Sequence, residues 1–162
     1  MKNRMKKIFK PKIIFTDFDG CLTDDRVWLN DEGIEFVAAN RKDGLAANKI
    51  SSLGIKLIIA STETNKVVLA RGKKMGVEVI QGLNDKALEI DTYLKSNQVS
   101  WSEIWYIGND LNDLDAIKKA GISFCPSDAV KIIRKEADMV LKTPGGQGVL
   151  AEIVRLLDSI SS

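Results

Sequence analysis

Asp17 and Asp19 stand two residues apart, directly after the apolar run Ile13-Ile14-Phe15 and directly before Gly20. Such a run is the pattern of a strand buried on both faces of a sheet. In an open parallel sheet, ligands gather beyond the carboxyl ends of the strands. Both carboxylates would then stand at the mouth of the sheet, with Gly20 letting the chain turn there. Two acids so close resist joint ionisation; a bound cation removes the conflict, and clustered oxygens suit Mg²⁺. An Asp-rich turn looks the same over D-x-D alone. The longer pattern, Asp17-x-Asp19-Gly20-x-x-Thr23-Asp24 after a buried strand, is far more specific.

Other reactive residues follow further strand-like runs. Ser61 comes after Ile55–Ala60, Lys86 lies six residues past Ile80 at a helix start, and Asn109, Asp110 and Asp113 follow Glu103–Ile107. All should converge on one sheet edge. Together they suit phosphoryl transfer. A carboxylate can accept the phosphoryl group, while a metal and a lysine neutralise the transferring oxygens. A serine hydroxyl and helix N-terminal amides can donate to the same oxygens. Taken singly, Ser61 reads as a cap, Lys86 as a solvated lysine and Asn112-Asp113 as a turn; the order and placement argue for the site.

The elements that must position these residues alternate between strand and helix along the whole chain. The hairpin Arg26–Leu29 and Ile34–Val37 closes through Asn30-Asp31-Glu32-Gly33, which makes a flap over about residues 25–38. Trp28 and Phe36 on it need a partner, either their own domain or another subunit. Helices are expected over Asp43–Leu53, Asn65–Met75, Asp85–Ser96, from Asp113 to Lys119, over Asp128–Lys135, and from the Gly145–Gly148 stretch to about Ile160. Strands are expected at Ile55–Ala60, Val77–Ile80, Glu103–Ile107, Ile122–Cys125 and Asp138–Leu141. The expected fold is α/β: a doubly wound parallel sheet in three layers, one domain over residues 1–162, with no stretch long enough for a separate cap domain.

Composition narrows the chemistry. The chain has 162 residues, a net charge of +2 and no histidine. The last excludes Ser-His-Asp and Cys-His catalysis and every His-ligated metal, so acid–base work falls to carboxylates, lysine or metal-bound water. The charge gives no argument for nucleic-acid or membrane partners. The basic start, Lys2 to Lys12, reads as a flexible, solvated tail over residues 1–10, neither signal peptide nor membrane span. Two cysteines, Cys21 and Cys125, without a disulfide or zinc pattern fit a cytoplasmic setting.

The first motif resembles motif I of the haloacid dehalogenase (HAD) superfamily, and the other three motifs follow in order over residues 12 to about 155. The resemblance implies Asp17 as nucleophile, Asp19 as general acid/base, Ser61 as motif II, Lys86 as motif III, and Asp113 orienting Lys86 or a metal-bound water. It implies Mg²⁺ held by the Asp17 carboxylate, the Asp19 main-chain carbonyl and Asn109. Many capless relatives carry Asp where Asn109 stands; the uncharged amide implies weaker metal binding. Similar G-N-D or G-N-E motifs occur in phosphatase-like domains fused to sialate cytidylyltransferases.

The flap, Asn40–Gly44, Gln81-Gly82-x-x-Asp85-Lys86 and Gly145-Gly146-Gln147-Gly148 resemble the capless KDO-8-phosphate phosphatases and their nonulosonate relatives. That likeness implies a homotetramer with active sites at subunit interfaces, closed partly by a neighbour's tail. It also implies a substrate code. Glu63 would accept hydrogen bonds from glycerol-tail hydroxyls, and Arg71 with Lys74, sharing one helix face, would receive a sugar acid's carboxylate from the neighbouring subunit. The expected activity is Mg²⁺-dependent hydrolysis of a sugar-acid phosphate, foremost an N-acylneuraminate or KDN 9-phosphate, with KDO-8-phosphate as the alternative. A rival of another class is a non-catalytic, tetramer-forming domain assisting a cytidylyltransferase. A phospho-accepting receiver shares the acids and lysine, but not the need for Asp19 or the tail glycines.

Overall fold

Strands β1 (Ile13–Thr16), β4 (Lys56–Ala60), β5 (Glu78–Ile80), β6 (Ile104–Ile107), β7 (Ile122–Cys125) and β8 (Met139–Val140) form one sheet. A separate two-stranded hairpin pairs β2 (Trp28–Leu29) with β3 (Glu35–Phe36). The helices are α1 (Arg41–Ser52), α2 (Lys66–Met75), α3 (Lys86–Ser96), α4 (Leu114–Lys119), α5 (Lys131–Glu136) and α6 (Val149–Ser161). The computed structural model describes residues 7–161.

The sheet runs β5-β4-β1-β6-β7-β8, and every pairing in it is parallel. β1 lies at its centre, with Thr16 beside Ile59 and Ile107, so the residues after all three strands leave the sheet at one edge. Alternation along β1 explains the layers. Ile14 faces a core built with α1, α2 and α6, whereas Ile13 and Phe15 face a second core built with α3, α4 and α5. This is the expected three-layer, doubly wound α/β arrangement.

Differences from the sequence reading are local. Asn65 and Asp85, expected as the first helical residues, are N-caps, accepting from Val67 N and Leu88 N. The Asp128–Lys135 helix starts only at Lys131, because the Asp128 carboxylate accepts from Gly145 N (2.9 Å) and Ala129 N turns back to Pro126 O. The motif after β6 begins as a 3₁₀ turn, Leu111–Asp113, before α4. Of the expected solvated tail, residues 1–6 lie outside the described residues. Ile8 and Phe9 correct the remainder: both pack on the larger core, Phe9 edge-on to Trp105 at 6.5 Å.

The hairpin projects its apolar side chains into solvent: Trp28 is 69 % exposed and Phe36 57 %. Neither side chain joins either core of the protomer. The Gly145–Gly148 loop lies against its own chain. Gly146 N donates to Cys21 O, and Asn40 Nδ2 donates to Gly146 O. No helix among the described residues is long and apolar enough to cross a membrane.

Candidate active site

β1 ends in Thr16, and the next residue, Asp17, is tied to the neighbouring strand by its N–H bond to Ile107 O (2.9 Å). Its side chain is held from both ends: Oδ1 accepts from Phe18 N (2.7 Å) and Oδ2 meets Lys86 Nζ at 2.7 Å. Lys86, in the first turn of α3, also meets Asp113 Oδ1 at 2.7 Å. Asp113 Oδ1 further accepts from the Tyr106 hydroxyl (2.6 Å), and Oδ2 accepts from Asn109 N (2.8 Å) and Asp110 N (3.2 Å). Asp113 thus fixes the lysine and shapes the loop carrying Asn109.

All of these groups are buried: Lys86 is 2 % exposed, Asp17 5 % and Asp113 0 %. Burial, then the charge of Asp113, raises the Asp17 carboxyl above the usual carboxylate range, with Lys86 opposing. For Lys86, burial works to lower the pKa, but the two flanking carboxylates outweigh it and hold the ammonium above its usual range. Asp19 is raised by burial, then by Asp25 and Glu63. Burial leads both aspartate shifts, and the neighbouring carboxylates add to them.

That space is an open pocket of about 340 Å³, lined by Asp17, Asp19, Asp25, Glu63, Asn109 and Asp110 among others. The metal set expected from the sequence therefore borders one cavity. Gly20 makes this possible. Its φ is +71°, and a Cβ there would fall 1.9 Å from Asn109 Nδ2. Among the described residues no three acidic or thiol side chains form a metal cluster. The available set is instead one carboxylate, one amide and a main-chain carbonyl, all hard oxygen donors in a region of surplus negative charge. Such a set fits Mg²⁺ rather than a soft, thiolate-seeking ion.

Ser61 is buried (1 % exposed), and its Oγ accepts from Glu63 N (3.1 Å); Thr62 and Glu63 make the pocket wall there. Glu63 is brought to the acids, but Arg71 and Lys74 are not. Both line a different cavity with Arg41, between α1 and α2. Arg71 Nη2 donates to Asn40 O (2.7 Å), so within the protomer it braces the start of α1. Sequence reasoning missed Tyr106 and Asp25. A tyrosine inside a buried strand needs a hydroxyl partner, which was the available signal for Tyr106; the positive φ of Asp25 (66°) had none.

The family profile for haloacid dehalogenase-like hydrolases matches residues 47–153. The 3-deoxy-D-manno-octulosonate 8-phosphate phosphatase KdsC of Escherichia coli is 27 % identical over 154 residues, 94 % of this chain and 82 % of that protein. N-acylneuraminate cytidylyltransferase A of Danio rerio is 26 % identical over 143 residues, 87 % of this chain; the chain spans only 33 % of that longer protein. Among solved structures, the Moraxella catarrhalis 3-deoxy-D-manno-octulosonate 8-phosphate phosphatase, in complex with magnesium, phosphate and KDO, superposes with a TM-score of 0.88. It is 31 % identical, over 92 % of this chain and 86 % of that one.

Proposed function

We propose that this chain, which belongs to the haloacid dehalogenase-like hydrolase family and is a phosphatase, hydrolyses a sugar-acid phosphate with Mg²⁺ as cofactor, through an aspartyl-phosphate on Asp17. The observation that carries the reading is the buried Asp17–Lys86–Asp113 cluster opening onto an acidic, oxygen-lined pocket. Asp17 Oδ attacks phosphorus, held in line by Phe18 N and Lys86. Asp19 protonates the leaving alcohol, then takes a proton from the attacking water. Its raised pKa suits a group that must carry a proton part of the time. Lys86 stays cationic between its two acids and neutralises the transferring oxygens. Ser61 uses its oxygen to accept from Glu63 N and can turn its hydroxyl hydrogen toward the phosphate. Asp17, the Asp19 carbonyl and Asn109 would hold the Mg²⁺, which when bound offsets the charge gathered on the phosphate oxygens.

For the substrate, a nonulosonate 9-phosphate such as N-acylneuraminate or KDN 9-phosphate is supported by Glu63 at the pocket and by Arg71 and Lys74 for delivery from a neighbouring subunit. Likeness to proteins named for 3-deoxy-D-manno-octulosonate 8-phosphate supports that ester equally. The assembly is a homotetramer built on the exposed hairpins, in the cytoplasm, where the unpaired cysteines Cys21 and Cys125 stay reduced.

The test is phosphate release from a panel of sugar-acid phosphates, with Mg²⁺ and with a chelator. Turnover of at least one ester, lost on chelation and abolished by Asp17→Asn, is the expected result. No turnover of any ester by folded protein would instead support a non-catalytic assembly domain.

A further inference from the structure

Thr23 is fully buried in the loop that carries Asp17 and Asp19. In that loop the Phe18 carbonyl oxygen accepts from the main-chain N–H groups of Cys21, Leu22 and Thr23. The coil so formed brings the Thr23 side chain back over Asp19. Thr23 Oγ1 accepts from Gly20 N (3.3 Å) and from Asp25 N (3.2 Å), and it lies 3.5 Å from Asp19 Oδ1. A hydroxyl has two lone pairs and one hydrogen. The two N–H groups take the lone pairs, so the hydrogen is left for Asp19 Oδ1. Among the described residues no other group donates to the Asp19 carboxylate. The separation is long for an O–H···O bond, and contacts of catalytic groups tighten once substrate is in place.

We infer that Thr23 is a positioning residue for proton transfer: its hydroxyl holds the Asp19 carboxyl group by Oδ1 and leaves Oδ2 for the leaving oxygen. This role rests on the phosphatase reading and says what orients its acid. A carboxyl group carries its proton on one oxygen. Oδ1 receives the Thr23 hydrogen, so a proton there would face another hydrogen; the proton that Asp19 gives up therefore sits on Oδ2. As the bond from Asp17 to phosphorus forms and the ester P–O bond breaks, that proton passes to the departing alcohol oxygen. Asp19 is then a carboxylate, still held through Oδ1. Its Oδ2 takes a proton from the water that attacks the aspartyl-phosphate. One orientation thus serves both steps. Valine nearly matches the shape of threonine but offers neither the hydrogen nor the lone pairs.

Leaving-group dependence tests this. The ester 4-nitrophenyl phosphate releases a stable phenolate and needs little help from an acid, whereas phenyl phosphate needs more. The quantity compared is kcat/KM, which covers the steps up to loss of the alcohol and not hydrolysis of the aspartyl-phosphate. With Mg²⁺ in excess, Thr23→Val should lower kcat/KM about tenfold for phenyl phosphate, part of what a general acid contributes, and less than about threefold for 4-nitrophenyl phosphate. Thr23→Ser, which keeps the hydroxyl, should restore the ratio between the two esters. Equal losses on both esters would reduce Thr23 to a structural part and overturn the assignment; so would a Thr23→Ser protein that does not restore the ratio. If Thr23→Val does not fold, the Thr23 hydroxyl proton is followed by NMR in the unaltered protein and in Asp19→Ala. A slowly exchanging resonance that moves when the carboxylate is removed is the expected result. One that stays in place, or exchanges too fast to be observed, overturns the assignment. Absence of 4-nitrophenyl phosphate hydrolysis by the unaltered protein is a failure of the phosphatase reading instead, and the NMR comparison then tests the Thr23–Asp19 contact without turnover.

Discussion

Asp43 is a fully buried carboxylate far from any phosphate role. Its Oδ1 accepts from Leu150 N at 2.9 Å, in the first turn of α6, and its Oδ2 has no hydrogen-bond partner. Burial pushes its pKa from 3.8 up to about 6, against the pull of Leu150 N and Arg71. The folded value lies above the unfolded one, so the folded state takes up the proton first as pH falls. Its stabilising contribution is complete below about pH 4 and is lost as pH rises through about 6, by at most ~3 kcal/mol. Asp43→Asn keeps an acceptor for Leu150 N and removes the titration. Its melting temperature relative to the unaltered protein should therefore climb between pH 4 and 7, then level off; parallel profiles would refute this. The placement of Asp17, Asp19, Lys86, Asn109 and Asp113 just beyond strands at one sheet edge was legible from residue type and position along the chain. The burial of Asp43 was not, since it depends on Leu150, over a hundred residues away.

At the scale of elements, the loop before α6 sets the position of the motif I loop. A Cβ on Gly145 would fall 2.2 Å from the Gly20 carbonyl oxygen and 3.0 Å from that of Thr23. Both are backbone atoms and cannot swing aside. Gly145→Ala should therefore cost about 2 kcal/mol of stability by overpacking. It should also shift the Gly20–Asn109 contact, so kcat falls about tenfold or more while the protein stays folded. Thermal melts and phosphate-release kinetics on one preparation check both; unchanged kcat would separate this loop from the site. The sequence showed Gly145–Gly148 as a helix approach, and the loop's contact with Gly20 gives the glycines their reason. Most helix bodies were read correctly, whereas the helix expected from Asp128 begins only at Lys131, and Asn65 and Asp85 moved from first turn to cap. Composition at a helix start fits either position, and only the side-chain bond to Val67 N or Leu88 N separates them.

Across the whole molecule, the exposed Trp28, Leu29 and Phe36 lie on one small hairpin that has little other support. Burial of a large apolar side chain stabilises an interface by about 1.5–3 kcal/mol, so these residues can decide assembly. The double change Trp28→Ser, Phe36→Ser should convert the proposed tetramer to smaller species in sedimentation velocity, with the far-ultraviolet spectrum retained. Activity on a sugar-acid phosphate should fall with it, because Arg71 and Lys74 lie in a cavity apart from Asp17 in one protomer. A variant that stays tetrameric would remove the hairpin from the interface.

The amino-acid order alone determined the alternating strands and helices and the sequence of motifs at one sheet edge. Those features depend on periodicity, end signals and residue type, which are local. The central place of β1 came from the strand order of the fold. Tertiary structure decided that Asp113 holds Lys86, Tyr106 and the Asn109 loop at once, that Ile8 and Phe9 belong to the core, and that Glu35 shares a cavity with Glu63. Each of those facts is a distance between residues on different elements, set by how the layers pack, and no spacing along the chain encodes it.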